Sequence, residues 1–281
     1  MKTAVLTDST AYIPDNLLEQ YNIYTVPLSV NFESETYREG LDLSTEAFYE
    51  KMRSTPELPK TSQPPIGLIV ETLEEISKEH DACICIHLSS GISGTYQSVL
   101  SAGTMVEELE VFGFDSEISC MAQGFYVLEA AKMAQDGETP DVICARLAEM
   151  KKTLRAYFMV DDLKNLQKGG RLSSAQALIG SMLQVKPILH VENKVIVPFA
   201  KIRTRKKAIA TIMGMLEEDA ATGKLAKVTF IHANALEMVK ELQMAFSEKF
   251  PEVETILSTF GPVIGTHLGE GALGIGWYLN E

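Results

Sequence analysis

The sequence predicts an α/β protein of two domains. The chain has 281 residues, more than a typical single domain. Short apolar runs alternate with amphipathic helical segments in the first half, which is typical of a mostly parallel sheet with helices on both faces. In the second half, residues 188–194 read as a strand followed by a hairpin turn, which favours a mixed or antiparallel sheet with helices. We therefore expect an N-terminal α/β domain at 1–155 and a C-terminal α/β domain at 156–281.

The elements of the first domain follow from hydrophobic periodicity. The helix at 66–80 is the clearest, because Leu68, Ile69, Leu73 and Ile76 recur at helical spacing. The predicted strands are 2–6, 24–32, 82–88 and 111–115. The other predicted helices are 16–20, one beginning at Ser44, 96–109 and 124–136.

The second domain has more strands. They are predicted at 157–160, 187–191, 194–199, 227–232, 253–257 and 272–278. Helices are predicted at 174–184, 205–217 and 236–249. The segment 177–183 within the first of these helices reads ALIGSML and is interpreted as core, with a lid or a surface in transient contact with a membrane as the alternatives.

Composition excludes several classes of protein. The formal net charge of −13 argues against a nucleic-acid partner. Four cysteines, at 83, 85, 120 and 144, have no metal-ligand spacing, so we expect buried free thiols and neither metal nor cofactor. Asp8 comes too early for the apolar core of a signal peptide, and no apolar run reaches the length of a membrane span. A cytoplasmic protein is expected.

The most informative segment lies at 88–98 and reads LSSGISGTYQS. It follows an apolar strand and precedes a helix, so free backbone N–H groups and hydroxyls meet at one point, which favours an anion. The segment has no lysine, and we therefore expect a carboxylate or a small phosphate instead of a nucleotide triphosphate.

Other motifs leave alternatives open. Residues 91–95 nearly match the GxSxG elbow of hydrolases, so a Ser93–His267 dyad could serve an esterase, whereas the simplest interpretation of Ser93 is a helix cap. The GxGxxG match at 269–274 lacks a following helix and is discarded as a dinucleotide site. In the basic run 201–207, Arg203 is predicted to point inward.

Eight segments in order along the chain resemble the DegV family. In the first half they are DSTAYIP (8–14), YREGLDLS (37–44), KTSQPP (60–65) and LSSGISGTYQS. In the second half they are LQKGGRLSS (166–174), KPIL (186–189), KIRTRKKA (201–208) and GPVIGTHLGEGALG (261–274). The resemblance implies two α/β domains with a long-chain fatty acid held between them.

The resemblance also implies a set of site residues. Thr61, Ser62, Ser93, the Gly94 backbone, Thr266 and His267 would surround the carboxylate, and Arg203 would lie near the headgroup and take part in phosphotransfer. The chain departs from the family's usual THTGPG at 266–271, where Glu270 stands in place of proline. It also has Cys120 and Met121 where smaller residues are usual.

The function implied is that of a carrier without catalytic residues of its own. It would present the fatty acid to the ATP-dependent catalytic subunit of a fatty acid kinase, giving acyl-phosphate for phospholipid synthesis. The alternatives are an esterase or thioesterase that uses Ser93 and His267, and a regulatory binder of another anionic lipid. We further expect His267 to be partly protonated in the complex, because a buried anion favours the charged imidazole.

Overall fold

The computed structural model describes residues 1–33, 35–172 and 186–280. The chain divides into two compact units: unit 1 is Met1–Leu43 with Thr61–Lys152, and unit 2 is Ser44–Lys60 with Thr153–Glu281. The cut between Lys152 and Thr153 lies three residues before the expected boundary at 155/156. The expected limits differ from this division in one further respect, because 44–60 belongs to unit 2.

Unit 1 is built on a parallel sheet. Its strands are β1 (Thr3–Asp8), β2 (Tyr24–Val26), β6 (Ala82–His87) and β7 (Glu110–Asp115), in the order β2-β1-β6-β7, and neighbouring strands are parallel. The hairpin β3 (Ser29–Phe32) and β4 (Glu35–Arg38) forms a smaller sheet with β5 (Lys60–Ser62). The predicted strand 24–32 is thus two strands, because Pro27 cannot donate to a ladder.

Unit 1 also contains α-helices, three of which pack against the parallel sheet. The helices are α1 (Asp15–Gln20), α3 (Ile66–Ser77), α4 (Thr95–Gly103), α5 (Cys120–Gln135) and α6 (Pro140–Thr153), whose last residue falls in unit 2. Apolar residues of α3 and α4 pack against Leu6, Cys83 and Cys85. On α5, Gln123 Nε2 donates to Thr7 Oγ1 at 3.0 Å. Because neighbouring residues of a strand face opposite ways, α5 lies on the other face from α3 and α4.

Unit 2 contains a mixed sheet. Its strands are β8 (Arg155–Met159), β9 (Ile188–Glu192), β10 (Val195–Ala200), β11 (Leu225–His232), β12 (Glu254–Thr259) and β13 (Leu273–Leu279), in the order β10-β9-β8-β13-β11-β12. β11 and β12 are parallel and the other pairs are antiparallel. The predicted hairpin is confirmed: β9 and β10 join at Asn193 and Lys194, which both have positive φ.

The helices of unit 2 are α2 (Thr45–Ser54), α7 (Lys164–Lys168), α8 (Arg205–Ala220), α9 (Leu236–Lys249) and α10 (Pro262–Leu268). Ala208, Ile212 and Leu216 of α8 join Ile275 and Trp277 of β13 in the core. The predicted α/β fold with a parallel sheet and a mixed sheet is confirmed. The predicted helix 174–184 lies outside the described residues, and none of the described helices is long and apolar enough to cross a membrane.

Helix α2 belongs to unit 2 because its aromatic residues are buried there. Ser44 Oγ accepts from Ala47 N and caps the helix. Tyr49 Oη donates to Phe260 O at 2.7 Å. A Cβ on Gly265 of α10 would lie 2.5 Å from Tyr49 Oη and 3.0 Å from the Phe48 ring, so α2 and α10 pack this closely only with glycine there.

Candidate functional site

We call residues 88–94 the Ser93 loop. It connects β6 to α4 and is a tight turn, because Ser89 O accepts from Ile92 N at 3.1 Å and from Ser93 N at 3.2 Å. Ser89 N donates to Ile118 O at 2.7 Å. Ser90 N and Ser90 Oγ donate to the Asp115 carboxylate at 3.1 and 2.5 Å. The end of β7 therefore fixes the start of the loop.

Gly94 carries the backbone donor that the loop does not use. The N–H groups of residues 88–93 all have acceptors within unit 1. Gly94 N, at the N-cap of α4, has no acceptor among the residues that the structure describes. Ser93 Oγ lies beside it, pairs with Thr95 Oγ1 at 2.9 Å and accepts from Thr95 N at 3.3 Å. A hydroxyl and an N–H at a helix N-terminus suit an anion.

The segment with Thr61 and Ser62 lies next to this loop. Ser62 Oγ accepts from Asn31 Nδ2 at 3.3 Å. Gln63 Nε2 donates to Ser98 Oγ at 2.6 Å, and a Cβ on Gly94 would overlap Gln63 Oε1. The structure therefore brings the segment after β5 and the Ser93 loop together through Gln63, whose side chain would have to shift if Gly94 carried a Cβ. Gln63 belongs to the motif KTSQPP, but the sequence prediction for that motif named only the hydroxyl residues Thr61 and Ser62.

In unit 2, His267 lies in α10 and is only 8% exposed. A Cβ on Gly169, which follows α7, would overlap His267 Nδ1, so glycine is required beside the ring. Burial and the positive charge of Arg171 lower the pKa of His267 to about 4. The imidazole is therefore neutral at neutral pH in the absence of ligand. Thr266 Oγ1 donates to Pro262 O at 2.8 Å within its own helix.

Arg171 supplies a positive charge that the sequence interpretation missed. Its Nη1 donates to Gly169 O at 2.7 Å, and burial lowers its pKa from the usual arginine value. Arg171 could have been found from the motif LQKGGRLSS, which contains it. Arg171 beside a neutral His267 makes this part of unit 2 attractive to an anion.

The prediction that Arg203 points inward is wrong. Arg203 is exposed, whereas Arg205 is half-buried. Arg205 Nη1 donates to Asp161 Oδ1 at 2.7 Å, and Arg205 Nη2 donates to Gly271 O at 2.6 Å. The reason is that α8 begins at Arg205, with Thr204 Oγ1 accepting from Lys207 N as its cap. Arg203 precedes the helix and makes no ion pair or hydrogen bond with the described residues.

Glu270 is restrained where the family usually has proline. Its Oε1 accepts from Arg53 Nη1 and from Asn234 Nδ2, both at 2.5 Å. Gly271 N donates to Ala233 O at 2.8 Å. These bonds hold the loop after His267 without the rigidity of a proline ring.

The expectation of buried free thiols is confirmed for three of the four cysteines and is wrong for Cys144. Cys83, Cys85 and Cys120 are buried free thiols, and Cys144 is half-buried. Within the described ranges, no group of three or more His, Cys, Asp or Glu residues could hold a metal ion.

Comparison with known proteins decides the family. The family model described as an uncharacterised protein of the DegV family matches residues 2–280. This chain belongs to the DegV family. The protein DegV of Bacillus subtilis is 58% identical over 278 residues, 99% of each chain.

Solved DegV structures have the same fold. The crystal structure of DegV from Bacillus subtilis, described as a fatty acid binding protein, matches with a TM-score of 0.96 over 100% of both chains. A fatty acid binding DegV family protein of Streptococcus agalactiae, 31% identical, matches with a TM-score of 0.91 over 100% of both chains.

Proposed function

We propose that this DegV protein binds a long-chain fatty acid and presents its carboxylate to an ATP-dependent kinase subunit, which makes acyl-phosphate for phospholipid synthesis. The observation that carries the proposal is the Ser93 loop, with an N–H on Gly94 that has no acceptor among the described residues and a hydroxyl on Ser93. The DegV relatives described as fatty acid binding support the choice of ligand. The protein would act in the cytoplasm as a non-catalytic subunit.

The acyl chain and the polar residues have different tasks. Burial of apolar carbon contributes about 0.8 kcal/mol per CH₂, so a sixteen-carbon tail contributes roughly 10 kcal/mol before ordering costs. A buried carboxylate needs several hydrogen bonds to offset its desolvation. We assign these bonds to Thr61, Ser62, Ser93 and Gly94 N of unit 1, and to Thr266 and His267 of unit 2. Thr266 would first have to release Pro262 O, to which its hydroxyl donates in the ligand-free protein. Arg171 adds a positive charge beside His267.

Replacing Ser93 by alanine tests the carboxylate assignment. One charge-assisted hydrogen bond is worth about 1.5–3 kcal/mol, so Ser93→Ala is expected to weaken fatty-acid binding about tenfold or more. His267→Ala should act similarly, and both should lower kinase-dependent turnover. The measurement is titration calorimetry on delipidated protein, after native mass spectrometry has identified the lipid retained on purification.

Ser101→Ala is the matched control. Ser101 lies on α4, where its hydroxyl donates to Gln97 O, and its loss should leave affinity unchanged. Delipidated wild-type protein that binds no fatty acid would contradict the proposal. Hydrolysis of an activated ester by the protein alone, abolished in Ser93→Ala, would instead support an esterase. Another anionic lipid in the mass spectrum would support a regulatory binder.

Arg203 is proposed to act at the kinase, near the headgroup. Its side chain is exposed and makes no ion pair or hydrogen bond with described residues, so the charge is available to a partner or to a phosphoryl group. Arg203→Ala should lower acyl-phosphate formation about tenfold while fatty-acid affinity stays within twofold. Lys224→Ala, an exposed cation before β11, is the control. Equal loss of affinity and turnover in Arg203→Ala would refute this role. We also propose that transient contact with a membrane surface accompanies lipid transfer.

A further inference from the structure

The Ser93 loop is anchored by a fully buried carboxylate. Asp8, at the end of β1, accepts from Leu88 N, the first residue of the loop, at 2.9 Å. It also accepts from Thr10 N, Thr10 Oγ1 and Gln123 Nε2 at 3.0, 2.5 and 3.2 Å. These bonds explain why the loop starts where it does. They also place a negative charge beneath a loop proposed to bind a second carboxylate.

The distance makes this charge matter. Asp8 is bonded to Leu88 N, and Ser93 N is bonded to the carbonyl of the next residue, Ser89. From Asp8 to Gly94 N, this path of two hydrogen bonds and short stretches of backbone spans on the order of 10 Å. Two like charges at such a distance, at an effective dielectric constant of about 20, weaken binding by roughly tenfold.

His87 lies against Asp8 at the end of β6. Its Nδ1 is 3.0 Å from Asp8 Oδ2, and both side chains are 0% exposed. Burial lowers the pKa of His87, but the interactions with Asp8 and with Cys85 outweigh burial and raise the pKa to about 9. Burial raises the pKa of Asp8, but His87, Thr10 and Leu88 outweigh it and the pKa is lowered.

We propose that His87 is the counter-ion of Asp8, and that its positive charge allows the Ser93 loop to bind a fatty-acid carboxylate without repulsion from its own anchor. The proposal rests on the proposed function. His87 is then a positioning residue that acts through Asp8. A gain in fold stability does not by itself account for this buried ion pair, because such pairs are often no more stabilising than apolar replacements.

The test compares two ligands of equal chain length, a fatty acid and the corresponding fatty alcohol. His87→Asn keeps a donor near the position of Nδ1 but removes the charge. We expect affinity for the acid to fall about tenfold and affinity for the alcohol to stay within twofold. The double variant Asp8→Asn/His87→Asn, in which neither residue is charged, should recover affinity for the acid. Equal losses for acid and alcohol would overturn the proposal.

Cys85 needs its own control, because it is the other ionisable neighbour of the ring. Its pKa is lowered to about 6 by Cys83 and by His87 against the effect of burial. The lowered pKa favours a thiolate, so Cys85→Ala removes a negative charge and should leave acid affinity unchanged or raise it. A loss as large as that in His87→Asn would assign the effect to the thiol.

A measurement without ligand separates this proposal from the proposed function. Nitrogen-15 NMR of the wild-type protein at pH 7.5 should show both ring nitrogens of His87 protonated, and a neutral ring would overturn the counter-ion. A wild-type protein with a charged His87 that binds neither acid nor alcohol would contradict the fatty-acid function itself, and with it the role of His87.

Discussion

As the pH falls from 6.5 to 4, protonation of His267 should lower the free energy of unfolding of the ligand-free protein by about 3 kcal/mol. Burial and Arg171 lower the pKa of His267 from 6.5 to about 4, so the unfolded state binds the proton more readily. Stability from this residue is therefore complete above pH 6.5 and is lost on acidification. The His267 pKa differs between the unfolded and folded states, and at about 1.4 kcal/mol per pH unit this difference amounts to about 3 kcal/mol. Urea denaturation at a series of pH values measures it.

The variant His267→Gln isolates this contribution. It should lack the loss due to this residue and keep the loss due to carboxylates. Between pH 6.5 and 4 the unfolding free energy of the wild type should therefore fall by about 3 kcal/mol more than that of the variant. A bound fatty acid should reduce the loss, since its carboxylate favours the imidazolium. NMR titration that finds His267 neutral at pH 6 with lipid bound would contradict protonation in the complex.

Gly169→Ala should weaken fatty-acid binding by about tenfold to a hundredfold. Gly169 has a φ of −75°, so alanine is compatible with its backbone. The added Cβ would overlap His267 Nδ1 and lie 3.1 Å from Asn165 O, and the ring must move. Loss of one charge-assisted hydrogen bond accounts for the magnitude. Calorimetry gives the affinity, and the NMR titration of His267 reports the displaced ring independently.

Gly214→Ala is the matched control for this change. Gly214 lies within α8, and a Cβ there meets nothing within 4 Å. Alanine in a helix interior should stabilise the protein by about 0.5–1 kcal/mol without changing affinity. Normal affinity and a normal His267 titration in Gly169→Ala would show that the site tolerates the methyl group.

The sequence predicted what local patterns determine. The alternation of strands and helices, the hairpin after β9 and the buried thiols all follow from short-range signals. Helix α6 was missed although Thr139 and Pro140 mark its start, since Pro is favoured at the first helical position. The place of 44–60 in unit 2 was not predictable, because it depends on Tyr49 reaching Phe260, which lies 211 positions away.

The candidate site shows the same limit. Ser93, Gly94 and His267 stood out by residue type and neighbours, whereas Gln63, Asp115 and Arg171 matter through contacts made after folding. Arg203 and Arg205 illustrate the difference, because a shift of two residues decided which guanidinium turned inward. Only the start of α8, fixed by the Thr204 cap, settles that choice.

The course of the chain through α2 has a consequence for synthesis. Phe48 and Tyr49 leave the ribosome early, yet the glycine and carbonyl that receive them belong to residues 260–265. At about 5–20 residues per second, roughly 10 to 40 seconds separate the two. During that interval two aromatic side chains lack their native cover. A fragment cut after Lys152 would lack residues 260–265 and would leave both side chains without these partners permanently.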